Sequence, residues 1–302
     1  MPPTRPDLTL SSNVHDTALI FEGGGMRVSY TAAVVVALLD AGVHFDWVAG
    51  ISAGSSNTAN YLARDQRRAR RSFVEFATDP QFGDLRTFIK GQGLFNSEYI
   101  YRVSGRPGQA LPYDFATYQA NPARMRLGVF EADTGRAFYW TRADIETPDD
   151  LMARVQSSST LPFFMPPVHI DDHVYADGAL GPSGGIALDA ARADGFTKFL
   201  VVLTRPRDYV KAPLRISRPM RQYFRKYPTI LDALADRASN YNRTRAELLE
   251  LERNGDAMVF FPEGFTVSQG ERKLSRLERS FNDGAAQVAR ELPGWLEWLG
   301  LA

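Results

Sequence analysis

From Ala18 to Arg64 the sequence alternates twice between a short apolar run and a longer helix-like one. Ala18–Glu22 reads as a buried strand, and Val28–Ala41 as a helix with apolar residues on nearly every face. Phe45–Ile51 reads as a second strand, and Ala53–Arg64 as a helix rich in small residues. Strand, helix, strand, helix at this spacing commits the chain to a sheet with helices on both faces. Both strand-to-helix joints are glycine-rich: "GGG" at 23–25 and "GISAG" at 50–54.

The rest of the chain extends this pattern. Arg67–Ala77 reads as a helix, and Met125–Glu131 and Ala137–Thr141 as strands joined by the turn-like "ADTGR". Leu151–Ser157 is helical until the prolines of "TLPFFMPP" stop it. Val168–Ile170 and Val174–Ala176 flank a tight turn, Ala187–Ala193 is a helix and Lys198–Thr204 a buried strand. After Arg205 the composition shifts towards Arg, Pro and aromatics, followed by a long helix at Thr229–Arg253, a late strand at Met258–Phe261 and a helix at Arg272–Arg290. The expected organisation is a flexible arm (1–16), an α/β core (17–204) and a mainly helical C-terminal extension (205–302) packed on it.

Composition narrows the function classes. The 302 residues are 44% hydrophobic and 23% charged, enough to bury a sizeable core. Lys+Arg and Asp+Glu both number 35, so bulk attraction to nucleic acid is not indicated. No cysteine is present, which removes disulfides, thiolate metal sites and cysteine nucleophiles together. The four histidines, His15, His44, His169 and His173, are too scattered for an obvious metal site, and no cofactor is expected. The N-terminus lacks an apolar signal core and no uninterrupted apolar run approaches a bilayer span, so the expected location is cytoplasmic, with contact at the inner face of the membrane left open.

"GISAG" fits G-x-S-x-G, the strand-to-helix turn that lifts a serine clear of a sheet. With glycine at about 7%, the bare pattern arises by chance in about one chain in ten, so its context carries the reading. A strand precedes it and a helix follows, which favours Ser52 as a nucleophile, with Gly50 and Gly54 small because backbone passes close by. A serine needs a base, yet residues 174–302 contain no histidine. His169 and His173 bracket a turn and read as solvated. "VYADGAL" ends a strand with Asp177, and Gly178 lets the chain turn beside it. Taken alone, Asp177 reads first as a helix cap or an Asp-Gly turn.

The triple glycine has two uses. Gly23, Gly24 and Gly25 expose backbone amides at the entrance of a helix, which suits an oxyanion hole. Arg27 adds a cation there or ties the loop down. The rival use is a dinucleotide loop, but G-x-G-x-x-G would need glycine where Val28 stands.

In this order, "GGGMR", "GISAG" and "DGA" resemble the patatin-like phospholipases. "SSSTLPFFMPPVHIDDHVYADGAL" resembles that family's approach to its aspartate, and "FTVSQGERKLSRLERSFNDGA" the tail of a bacterial subgroup. The resemblance covers most of the chain from Ala18. It implies a three-layer α/β/α sandwich with a mostly parallel central sheet. It also implies a Ser52–Asp177 dyad without histidine or metal, and an oxyanion hole at Gly23–Gly25. The implied activity is hydrolysis of acyl esters of phospholipids or neutral lipids. Many members have glycine where this chain has Val28, so a shifted loop is expected there. The alternatives are a catalytically silent lipid-binding protein of the same fold and a nucleotide-binding α/β protein. Oligomeric state is not legible.

Three surfaces are candidates for lipid contact. "RDQRRARRS", with five arginines, reads as a solvated helix face. "RISRPMRQYFRKY" is balanced between anionic-lipid attraction and an ordinary amphipathic helix. "LPFFMPP", with Leu161, Phe163, Phe164 and Met165, is either core or acyl-chain contact. Trp295 and Trp298 read as part of a docking helix near the end.

Overall fold

The structure, a computed structural model, describes residues 10–83, 95–162 and 165–302. In chain order its strands are β1 (Thr17–Phe21), β2 (Trp47–Ile51), β3 (Arg124–Glu131), β4 (Arg136–Trp140), β5 (Val168–Ile170), β6 (His173–Asp177), β7 (Lys198–Val202) and β8 (Ala257–Phe260). The principal helices are α1 (Val28–Asp40), α2 (Ala53–Leu62), α3 (Gln66–Phe73), α4 (Phe115–Ala120), α5 (Pro148–Ser159), α6 (Leu188–Ala193), α7 (Arg218–Tyr223), α8 (Pro228–Asn254) and α9 (Leu274–Trp298).

The strands form one sheet in the order β5-β6-β3-β2-β1-β7-β8, with β4 also on β3. The run β3-β2-β1-β7-β8 is parallel, and β4, β5 and β6 join antiparallel. Side chains alternate between the two faces of each strand. Leu19, Phe21, Val48, Leu200 and Phe260 face α1 and α9, meeting Val34, Leu38, Val288 and Trp295. Ile20, Ala49, Val201 and Val259 face the other way, onto Leu188 of α6 and Tyr241 and Leu248 of α8. The chain is thus a three-layer α/β/α sandwich. Helix α1 is pressed between the sheet, α3 and α9, which is why its apolar residues lack a single stripe. Each buried Val or Leu there contributes about 1.5–3 kcal/mol.

Of the expected arm, residues 1–9 lie outside the described residues. Asn13 and Val14 are tied by their amides to His44 O. The segment after Arg205 supplies the edge strand β8, and α9 packs along α1. Helix α9 does not stop near Arg290, as the sequence suggests, but runs through Pro293 to Trp298. Trp295 anchors that last stretch by packing edge-on against Phe260. Arg68 also departs from the solvated face expected of its run: it is buried, donates to Asn60 and Leu111 O, and lies over the Tyr113 ring.

Candidate active site

The edges of β3 explain how residues 125 positions apart meet. Strand β4 pairs along Leu127–Glu131 on one edge. On the other edge β2 runs parallel up to Ile51, opposite Gly128. Strand β6 comes from the opposite direction on that same edge and ends with Asp177 opposite Val129. The two strands therefore meet head to head, and the residue after Ile51 is Ser52.

Ser52 has φ 58° and ψ −132°, a left-handed conformation that a non-glycine residue adopts only when its surroundings impose it. The surroundings here are backbone. A Cβ at Gly50 would lie 2.2 Å from Gly54 O, and one at Gly54 2.2 Å from Phe21 O. At Gly178 a Cβ would lie 2.2 Å from Gly128 O. These positions are glycine because strand ends and helix starts share one small volume. Three hydroxyls pin the turn. Ser158 accepts from the Ser52 amide at 3.1 Å and donates to Gly128 O at 2.6 Å. Ser159 and Ser55 both donate to Ser52 O.

Asp177 is completely buried. Its Oδ1 accepts from the Ala179 amide at 2.9 Å. The Ser52 hydroxyl lies near enough to stabilise its charged form, although Oδ2 keeps no hydrogen bond of full geometry. Burial pushes the Asp177 carboxyl up; the Arg237 charge, the Ser52 hydroxyl, the Ala179 amide and the Lys211 charge each pull it back.

The glycine loop faces the same point. Gly23 lies against Ser52: a Cβ there would be 2.5 Å from Ser52 Cβ and 3.3 Å from its Oγ. Gly25 has φ 56°, and a Cβ on it would meet Gln269 O at 2.5 Å. The amide before the loop, Glu22, donates to Val202 O, and the one after it, Met26, to Gln269 O. Among the described residues no hydrogen bond engages the Gly23, Gly24 or Gly25 amides. Glu22 itself is buried and accepts from the Thr204 amide and hydroxyl, which fastens the loop to the end of β7. Ser52, Asp177, the three glycines and Arg27 line one polar cavity, and no histidine is among its lining residues.

A second, apolar pocket adjoins it at Gly25 and Ala53. Its empty space is about 680 Å³ when the open solvent at its mouth is counted. Met26, Phe73, Phe76, Phe82, Leu111 and Met165 are among its walls. Of the "LPFFMPP" residues, Met165 lines this pocket and Leu161 the polar cavity, while Phe163 and Phe164 lie outside the described residues. Among the described residues one group could hold a metal: Glu131, Asp133 and His173, with donor atoms within 4.8 Å of one another. Its members already serve each other and Thr134 and Arg136, away from Ser52.

The sequence profile of a family described as patatin-like phospholipase matches residues 19–188, more than half of the chain. The chain belongs to the patatin-like phospholipase family. A second profile, described as a domain of unknown function (DUF6363), matches residues 227–300 of this chain. Uncharacterized protein YjjU of Escherichia coli (strain K12) is 26% identical over 207 residues, or 65% of this chain and 54% of that protein. The chain thus spans about half the length of this curated relative. Among solved structures, VipD from Legionella pneumophila is similar with a TM-score of 0.48 at 11% identity, covering 97% of this chain and 72% of that one. No helix among the described residues is long and apolar enough to cross a membrane.

Val28 is the position where the resemblance led to an expected shifted loop. That side chain is fully buried, in the same apolar cluster as Met26 and Ala32 at the start of α1. Sequence reading missed the residues that hold the site in place. Ser158 and Ser159 were visible only as a run of small residues at a helix end. Tyr101, on a π-helical turn at Glu98–Val103, sets its hydroxyl beside those of Ser159 and Ser56. It lies in a segment without clear periodicity. Lys211 and Arg237 also line the polar cavity, and nothing local in the sequence marks them.

Proposed function

We propose that this protein is a serine acyl hydrolase acting on lipid esters, with Ser52 as nucleophile and Asp177 as its general base. The observation that carries the reading is the head-to-head meeting of β2 and β6, which brings a strained serine beside a buried carboxylate. Ser52 Oγ attacks the ester carbonyl while Asp177 takes its proton. The amides of Gly23, Gly24 and Gly25 receive the charge that develops on the carbonyl oxygen. The departing alcohol or lysolipid regains the proton from Asp177. Water, deprotonated by the same carboxylate, then attacks the acyl-enzyme and releases the fatty acid and Ser52. The apolar pocket beginning at Ala53 and Ser56 holds the acyl chain. This reading predicts that a fluorophosphonate probe labels wild-type protein and that p-nitrophenyl butyrate is hydrolysed. An unlabelled, inactive wild-type protein would leave the silent lipid-binding alternative.

Substrate in a membrane calls for a way to reach it. Among the described residues four large hydrophobic side chains are exposed, and Val210, Leu214 and Tyr223 are three of them. Arg215, Arg218, Arg221, Arg225 and Lys226 are exposed around them. We assign this stretch as the face that meets anionic lipid, each basic residue near the surface contributing about 1 kcal/mol. Co-sedimentation with phosphatidylserine vesicles is expected, weakening with salt and with Leu214→Asp. Equal binding to pure phosphatidylcholine vesicles at all salt concentrations would reject this assignment.

A further inference from the structure

The second half of the chain lends the polar cavity more positive charge than ester hydrolysis needs. Lys211, on the loop after β7, and Arg237, on α8, line it together with Ser52 and Asp177. Both lie outside the residues matched to the patatin-like profile. Arg27 lines the cavity from the glycine loop, and Arg205 is close enough to repel both Arg27 and Lys211. Two carboxylates, Glu22 and Asp177, line the same cavity. Glu22 is occupied by Thr204 and by the Tyr241 hydroxyl, and Asp177 faces Ser52.

Among the described residues no direct ion pair holds these cations, although the Glu22 and Asp177 charges act on them within the cavity. Arg27 is 8% exposed, and its Nε, like those of Arg205 and Arg237, has no hydrogen-bond partner. The Lys211 ammonium lies 4.4 Å from the centre of the Tyr241 ring. Its backbone is clasped by the Asn242 side chain, which accepts from Lys211 N–H at 2.9 Å and donates to Lys211 O at 3.0 Å. Burial and the Arg237 charge push the ammonium down to about 7, with Arg27 and Arg205 adding to the fall and Glu22 opposing it. Clustering cations out of water is costly unless an anion completes the set.

We propose that Lys211 and Arg237, flanked by Arg27, form a subsite for the phosphate of a glycerophospholipid whose acyl ester is presented to Ser52. The inference rests on the hydrolase reading above. The apolar pocket and this cationic cavity adjoin at Gly25 and the Ser52–Ala53 peptide. A glycerophospholipid carries an acyl chain and a phosphate on either side of its ester, matching the two. A neutral glyceride offers nothing to the cations. Guanidinium groups bind phosphate oxygens in a charge-assisted manner, and the lysine adds a point charge.

The test compares dihexanoyl-glycerophosphate with dihexanoylglycerol, two soluble esters differing in the phosphate. Wild-type protein is expected to favour the phosphate ester in kcat/KM, and Lys211→Met with Arg237→Gln to lower that ratio at least tenfold. Reading the ratio cancels any effect these changes have on Asp177 itself. An unchanged ratio, or a wild-type protein indifferent to the phosphate, overturns the proposal. Binding is also read without turnover, by thermal shift of the Ser52→Ala protein. Dihexanoyl-glycerophosphate is expected to stabilise it at lower concentration than inorganic phosphate does, and the double change to abolish both shifts. Equal potency of inorganic phosphate would mean a site for free phosphate and overturn the headgroup assignment. Failure of the hydrolase reading looks different: no labelling and no turnover of either ester, whatever the thermal shifts.

Discussion

Asp177→Asn is expected to lower kcat on p-nitrophenyl butyrate by about 10³- to 10⁴-fold, the upper part of what a general base contributes. No histidine lines the cavity, and of its two carboxylates Asp177 is the one beside the Ser52 hydroxyl, while Glu22 is engaged by Thr204. Ser52→Ala should be at least as damaging and should also abolish fluorophosphonate labelling. The aspartate change carries a second signature. Burial raises the folded-state pKa of Asp177 above its ordinary 3.8. The native protein therefore binds this proton more tightly than the unfolded chain does. Its contribution to stability is present at low pH and is lost as pH rises through the raised pKa. The asparagine protein should accordingly melt above wild type at pH 7, with the gap closing as pH falls towards 4. Activity runs the other way. Wild-type kcat/KM should fall with acidification through the raised pKa, along a limb lying above that of an exposed carboxylate. A well-folded Asp177→Asn protein of full activity would sink the dyad.

Gly23→Ala should cost about 10²- to 10³-fold in kcat, the loss seen when one oxyanion donor is removed. The added methyl would lie 2.5 Å from Ser52 Cβ and 2.6 Å from Ile51 O. Both neighbours are fixed, the first by its strained turn and the second by the sheet, so the loop must move and carry its amides away. Most of the loss should appear in kcat rather than KM, because the amides matter most once charge has developed. Circular dichroism should report an intact fold. An alanine protein retaining wild-type kcat would remove Gly23 from the oxyanion hole.

The sequence made the chemistry easier to read than its support. Strong alternation of strand and helix made β1, α1, β2 and α2 visible, and both glycine joints lie where the active cavity is. Asp177 was ambiguous because an Asp-Gly pair at a strand end also makes an ordinary turn, and indeed its Oδ1 caps the Ala179 amide. What decides its surroundings is the pairing of β6 with the upper half of β3, a contact that no local pattern encodes. Ser158, Tyr101 and Lys211 escaped notice for the same reason: each acts on a residue far away in the chain. Trp295 reads from the sequence as part of a docking helix near the end; the structure instead continues α9 through Pro293, and burial against Phe260 outweighs the lost amide.

If Ser52 and Asp177 form the proposed dyad, the seam where β2 and β6 meet also sets when that dyad is assembled. Ser52 is made early and Asp177 more than a hundred residues later. A nascent chain that has formed its first two strands owns a serine but no proton acceptor. Only when the β5–β6 hairpin closes onto β3 does the carboxylate arrive. Contacts between such distant segments form late, after the entropy of a long loop has been lost. On the proposed dyad, completion of folding would work as an activation step, and a misfolded or interrupted chain would be inert.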